Sequence, residues 1–160
     1  PLESTSIHLI MSGIIRFIRL FPFDGITEQA IHEYNKQLKS EIENIRDFIV
    51  LHYKVTARTD SEFWRHCKNM EVPDTLVHKI SLFKETGRVF LDDGDIFRVD
   101  SWVQVMLGQG LKPKQYHLIA SLMSDDELSH FLNSIKQQIT QRVTQLPTHK
   151  AFLQQYCLAE

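Results

Sequence analysis

Cysteine is nearly missing from this chain of 160 residues, which carries only Cys67 and Cys157 and no CxxC. So sparse a pair excludes a disulfide framework and a cysteine-built zinc site, and points to reduced thiols in a cytoplasm. Six glycines and five prolines are too few for a fibrous or low-complexity chain. Neither sign of charge is in excess: 18 basic residues stand against 20 acidic ones, for a net charge of −2. No basic field is present to recruit nucleic acid or anionic lipid, so neither is expected as a partner. Long hydrophobic runs are missing too. The best membrane candidate, Ile7 to Phe21, is only about fifteen residues long and is interrupted by Arg16 and Arg19, too short and too charged to span. It also lacks the basic start and small-residue cleavage site of a signal peptide.

What the chain does have is a 42% hydrophobic, 24% charged composition, that of one ordinary globular domain. Helical punctuation dominates it. Ile7, Ile10, Ile14, Phe17, Ile18 and Phe21 recur at steps of three and four, and Pro22 follows as a stop. Thr27 is placed to cap a long helix with Ile31, Tyr34, Leu38, Ile42, Ile45 and Ile49 on one stripe. Asp60 or Ser61 caps a short helix through Phe63 and Trp64. Pro73-Asp74 opens the next, which Gly87 closes. "DSWVQVMLGQG" reads as a short helix ended by glycine. Ser124 to Glu127 is a capping box, and Pro147-Thr148 starts a last helix ending near Cys157. The expected fold is mainly α, with at most one small β-hairpin around Asp93-Gly94 in "RVFLDDGDIFRV".

Several motifs dissolve on inspection. The eight histidines form no HxH or HExxH, so no metal site is expected. "DDGD" lacks the length and terminal Glu of a calcium loop. "GQGLKP" follows a helix rather than a strand and has Pro113 where a dinucleotide fingerprint needs its third glycine. Two stretches keep two readings each. His52-Tyr53 and Phe63-Trp64 face across a helix junction, either as core packing or as a flat slot for a planar ligand. Ser4, Thr5 and Ser6 precede the first helix, so their amides suit an anion such as halide. The plainer alternative makes Ser4 or Thr5 a cap, with Glu3 exposed beside it.

"PLESTS", "LHYKVTARTDSEFWR", "LFKETGRVF" and "SWVQVMLGQG", in this order, resemble the C-terminal part of flavin-dependent tryptophan halogenases, and the resemblance runs the length of the chain. It implies a helical, substrate-side segment over residues 1–160 of an enzyme whose parent fold is α/β, with a Rossmann-like FAD-binding module upstream. It implies reduced FAD from a separate flavin reductase, oxygen and halide as reactants, and no metal. Chloride or bromide becomes hypohalous acid, which a Glu and a Lys direct onto tryptophan, indole or a related aromatic. By this resemblance Glu3 is the catalytic carboxylate, Thr5 and Ser6 bind halide through their amides, and Ile7 touches the flavin ring. Glu3, Ser4, Tyr53, Phe63 and Trp64 meet the substrate. None of the lysines here matches the family's catalytic one.

The pattern departs from tryptophan-specific members at Ser6 (commonly Gly), Lys54 (an aromatic), Thr59 (an acid) and Lys68-Asn69 (a displaced Asn). Acid and amide grip the amino-acid end of tryptophan in that family, so indole or another electron-rich arene competes with tryptophan as substrate. A chain beginning on Pro1 is expected to be a piece, inactive alone and prone to self-association as a homodimer or larger assembly. The competing reading is a non-enzymatic helical binding or assembly module derived from a halogenase remnant. A related hydroxylating flavin monooxygenase is the third.

Overall fold

A computed structural model describes residues 3–22, 24–91 and 95–157, apart from the side chains of Glu3, Ser4 and Ala120. Among the described residues there are eight helices and no strand. The proposed hairpin turn at Asp93-Gly94, with the first three residues of "DDGD", falls outside them, and its flanks at 88–91 and 95–98 run without strand pairing. The alternation there has no partner edge to bond to. Phe97 instead turns onto the core as an aromatic plug.

Residues up to Gln115 form one compact unit. It contains α1 (Glu3–Arg19), α2 (Glu28–Lys54), α3 (Glu62–Asn69), α4 (Asp74–Thr86) and α5 (Val99–Gly108). Caps fix the boundaries through local chemistry. The Thr27 hydroxyl accepts from the Ala30 amide at 3.2 Å and Ser61 from the Trp64 amide at 3.4 Å. Gly87 takes the left-handed conformation that ends α4. The glycines of "GQG" prove to be a helix stop as well: Gly110 donates to Leu107 and Leu111 to Met106, a Schellman closure of α5.

The core lies where the second half of α2 meets α4 and α5, around Leu51, Leu76, Phe83, Trp102 and Met106. Phe48 anchors it, stacked on Phe97 at 4.0 Å and edge-on to Trp102 at 5.1 Å. Asp47, buried in the same half of α2, is satisfied by Arg46 at 2.7 Å and by the Thr75 hydroxyl of α4. A buried carboxylate is tolerable only when bonded in this way.

α1 joins α2 in an unexpected manner. Its isoleucine stripe points away from α2: Ile7, Ile10, Ile14 and Ile18 are 54–65% exposed. The face it presents to α2 is polar. His8, Ser12 and Arg16, at four-residue steps, all converge on Glu41, at 2.8, 3.0 and 2.9 Å. Contacts of residues 8 to 16 with residues 41 to 37 make the two helices antiparallel.

Residues from Tyr116 onward form the second unit. In it α6 (Leu118–Leu122) is a short turn of helix, and α7 (Asp125–Gln145) starts with the full capping box, Ser124 and Glu127 bonding each other reciprocally. α8 (His149–Tyr156) is capped by Thr148. Neither helix buries a residue, and Phe131, Leu132, Ile139 and Val143 stand open along α7. Among the described residues of the chain, no helix is long and apolar enough to cross a membrane.

Candidate functional site

Tyr53 lies in the last turn of α2, and Phe63 and Trp64 in the first turn of α3. The turn between them folds the two helix ends together. Tyr53 and Trp64 stack with centroids 6.1 Å apart and planes within 17°. Phe63 meets both edge-on, at 6.4 and 5.0 Å. The three aromatics singled out in the sequence are therefore one cluster, and its rings touch one another rather than enclosing an empty slot.

The open space is beside them. A cleft of about 370 Å³ is walled by Tyr53 and Trp64, by Phe48 and Ile49 of α2, and by polar residues between the helices. Its volume lies at the low end for small-molecule sites, and its mostly apolar wall is what a flat arene requires. Phe63 does not line it and supports Trp64 from the side.

His52, named beside Tyr53 in the sequence, lines the wall as well, and three of its polar residues have no assigned role in the sequence motifs: Thr56, Arg58 and Gln109. The guanidinium of Arg58 lies 4.6 Å from the Trp64 ring centre, a cation–π distance. Asp60 holds it with two bonds, at 3.0 and 2.7 Å, and the Asp60 carboxyl is kept below its usual range chiefly by that bond. His52 donates from Nδ1 to the Phe48 carbonyl at 2.8 Å. "ARTD" carried the only signal that could have found Arg58, a basic residue two places before an acid and six before a Trp.

Where the family has an aromatic, Lys54 donates from Nζ to the Met70 carbonyl at 2.6 Å, tying the end of α2 to that of α3. Thr59 bonds only through its carbonyl, which accepts from Arg65 at 2.9 Å. Lys68 and Asn69 are exposed.

The opening stretch differs from expectation in one respect. Glu3 to Ser6 do not precede α1 but form its first turn, since the helix begins at Glu3. Amides of a first turn still lack intrahelical acceptors, so the capacity for an anion survives the shift. Thr5 is 3% exposed, whereas Ser6 is open and Ile7 is 60% exposed. The side chains of Glu3 and Ser4 lie outside the described part of the structure. No hydrogen bond, ion pair or ring contact links Thr5, Ser6 or Ile7 to the aromatic cluster. The antiparallel course of α1 directs its first turn toward the half of α2 that supplies Phe48, Ile49, His52 and Tyr53.

No dinucleotide cradle stands among the described residues, since Gly108 to Gly110 are spent in ending α5. Nor do those residues contain a group of three or more His, Cys, Asp or Glu able to hold a metal ion. Among the described residues no complete site for FAD is assembled.

The sequence model of tryptophan halogenases matches residues 1–125. Xcc4156, a flavin-dependent halogenase from Xanthomonas campestris, is 49% identical over the whole chain with a TM-score of 0.93. BrvH, a flavin-dependent halogenase from Brevundimonas sp. BAL3, is 39% identical over 96% of the chain with a TM-score of 0.88. Tryptophan 6-halogenase SttH of Streptomyces toxytricini is 36% identical over 84 residues, 52% of this chain and 16% of that protein. The chain spans 32% of the length of Xcc4156 and 31% of BrvH. It belongs to the tryptophan halogenase family and corresponds to a helical part of its flavin-dependent members.

Proposed function

We propose that this chain is the substrate side of a flavin-dependent halogenase, with the FAD-binding module supplied by another part of the same cytoplasmic enzyme. The reaction is chlorination or bromination of an electron-rich aromatic, with tryptophan, indole and related arenes as the class. One observation carries this reading: in a chain of this family, the Tyr53–Phe63–Trp64 cluster borders an open, apolar cleft of ring-accepting size.

Reduced FAD, delivered by a flavin reductase, would supply with oxygen the oxidising power that turns halide into hypohalous acid. The remaining steps fall to residues of this chain. The first-turn amides of Thr5 and Ser6 hold the halide, and the burial of Thr5 limits competing water. Ile7 offers an exposed apolar contact for the flavin ring. Ser4, Tyr53 and Trp64, with Phe63 bracing Trp64 from the side, orient the substrate and so select which ring carbon meets the oxidant. At that carbon a bond to halogen forms as the halogen–oxygen bond breaks. Glu3 stabilises the cationic ring and takes its proton, and the departing hydroxide ends as water.

The test has two arms. The 160-residue chain alone, mixed with flavin reductase, NADH, halide and indole, is expected to give no halogenated product. In the complete enzyme, Glu3→Gln is expected to lower turnover by about 10² to 10⁴ while leaving indole binding intact. Normal turnover by that variant would remove Glu3 from the mechanism.

A further inference from the structure

We infer that Arg58 sets the charge of the aromatic admitted to this cleft, so that anionic and net-neutral arenes are favoured over those of net positive charge. The inference rests on the reading of the cleft as the substrate site and adds a discriminating residue to it. Arg58 lines the cleft, whereas its partner Asp60 does not. The guanidinium is held from two sides: Asp60 engages Nε and Nη2, and the Trp64 ring lies 4.6 Å away. The Arg58 backbone amide donates to the buried Thr56 hydroxyl at 3.2 Å. Nη1 makes no hydrogen bond among the described residues, so its two hydrogens are available to a ligand.

Of the other polar groups of the wall, Gln109 favours the same sign, whereas His52 has its Nδ1 hydrogen committed to a carbonyl and gives none from there to a ligand. Gln109 accepts from the Ala57 amide at 3.4 Å through Oε1, which leaves its NH2 as a donor. Among the described residues no carboxylate lines the cleft. A ligand carboxylate would find the free edge of a preorganised guanidinium and an amide donor. A ligand ammonium would meet the guanidinium directly, with its counter-ion Asp60 set back from the described wall.

Three ligands with the same ring isolate the charge: indole, indole-3-acetate and tryptamine, titrated into the 160-residue chain. The indole N–H signal of Trp64 in 1H–15N spectra is the readout, and the buried Trp102 signal reports that the fold is intact. Indole-3-acetate is expected to bind about tenfold more tightly than tryptamine, with indole between. Arg58→Gln should erase that ranking, Arg58→Lys should keep part of it, and Asp60→Asn should widen it. Equal binding of the two charged ligands, or a ranking that survives Arg58→Gln, overturns the inference while leaving the aromatic site standing. Failure of all three to move the Trp64 signal overturns both together.

Discussion

Gly87 shows how one residue fixes the route between α4 and the segment that follows. Its φ of 68° closes the helix, and a side chain there would place Cβ 2.8 Å from the Gln115 carbonyl oxygen. Strain and collision act together, because the obstructing atom is backbone and held by the Lys114 amide bond to Lys84. Gly87→Ala is expected to cost about 2 kcal/mol in urea unfolding. Gly87→Asn is expected to recover little, since it accepts the left-handed angles but meets the same oxygen. At the cleft the ring cluster separates roles that the sequence could not. Trp64→Ala should weaken indole binding by up to about tenfold, and Phe63→Ala by distinctly less, because Trp64 is wall and Phe63 is buttress. Equal losses in calorimetric titrations would contradict that division.

At the scale of elements, most helix boundaries were legible because capping is a local transaction between a side chain and an amide two or three residues on. Thr27, Ser61, Ser124 and Thr148 all cap as their sequence context implies. The partner of a helix face is not local, and α1 shows the consequence. Its apolar period is plain, yet the contact with α2 is carried by His8, Ser12 and Arg16 around one carboxylate. Nothing in the spacing singles out Glu41 from the other acids of α2. Burial acts to raise the Glu41 carboxyl, and the bonds from Arg16, His8 and Ser12 outweigh it, holding it below the usual carboxylate range. A carboxyl depressed on folding gives stability that is full above its unfolded value and is lost as pH falls through the folded one. The α1–α2 pairing is therefore expected to loosen in acid below about pH 4.5, seen as faster amide exchange in α1 while α4 and α5 stay protected. Glu41→Gln should bring the same loosening at neutral pH, at a cost on the order of 1–3 kcal/mol, since it strands a half-buried Arg16.

For the whole molecule the decisive fact is how apolar surface is distributed. The core around Phe48, Phe83 and Trp102 is closed, but the outer face of α1 and the stripe of α7 lie open. The sequence made both stripes visible and could not say which would be buried, because burial depends on what the helices meet. The cleft was half legible for the same reason: its aromatics sit in quotable motifs, whereas Phe48, Thr56 and Gln109 reach it only through the packing of α2 and α5. On α1, Ile7, Ile10, Ile14 and Ile18 recur every three or four residues on one side, with Phe17 and Phe21 alongside. Neighbouring exposed side chains of that size make a patch rather than scattered single residues, and such patches drive association in water. The isolated chain is expected to self-associate with rising concentration in sedimentation velocity. Ile10→Lys with Ile14→Glu should shift it toward monomer without lowering its unfolding midpoint, because neither side chain contributes to the buried core. A sample that stays monomeric at all concentrations, or a double variant that unfolds more easily, would show that this face is already covered within the chain.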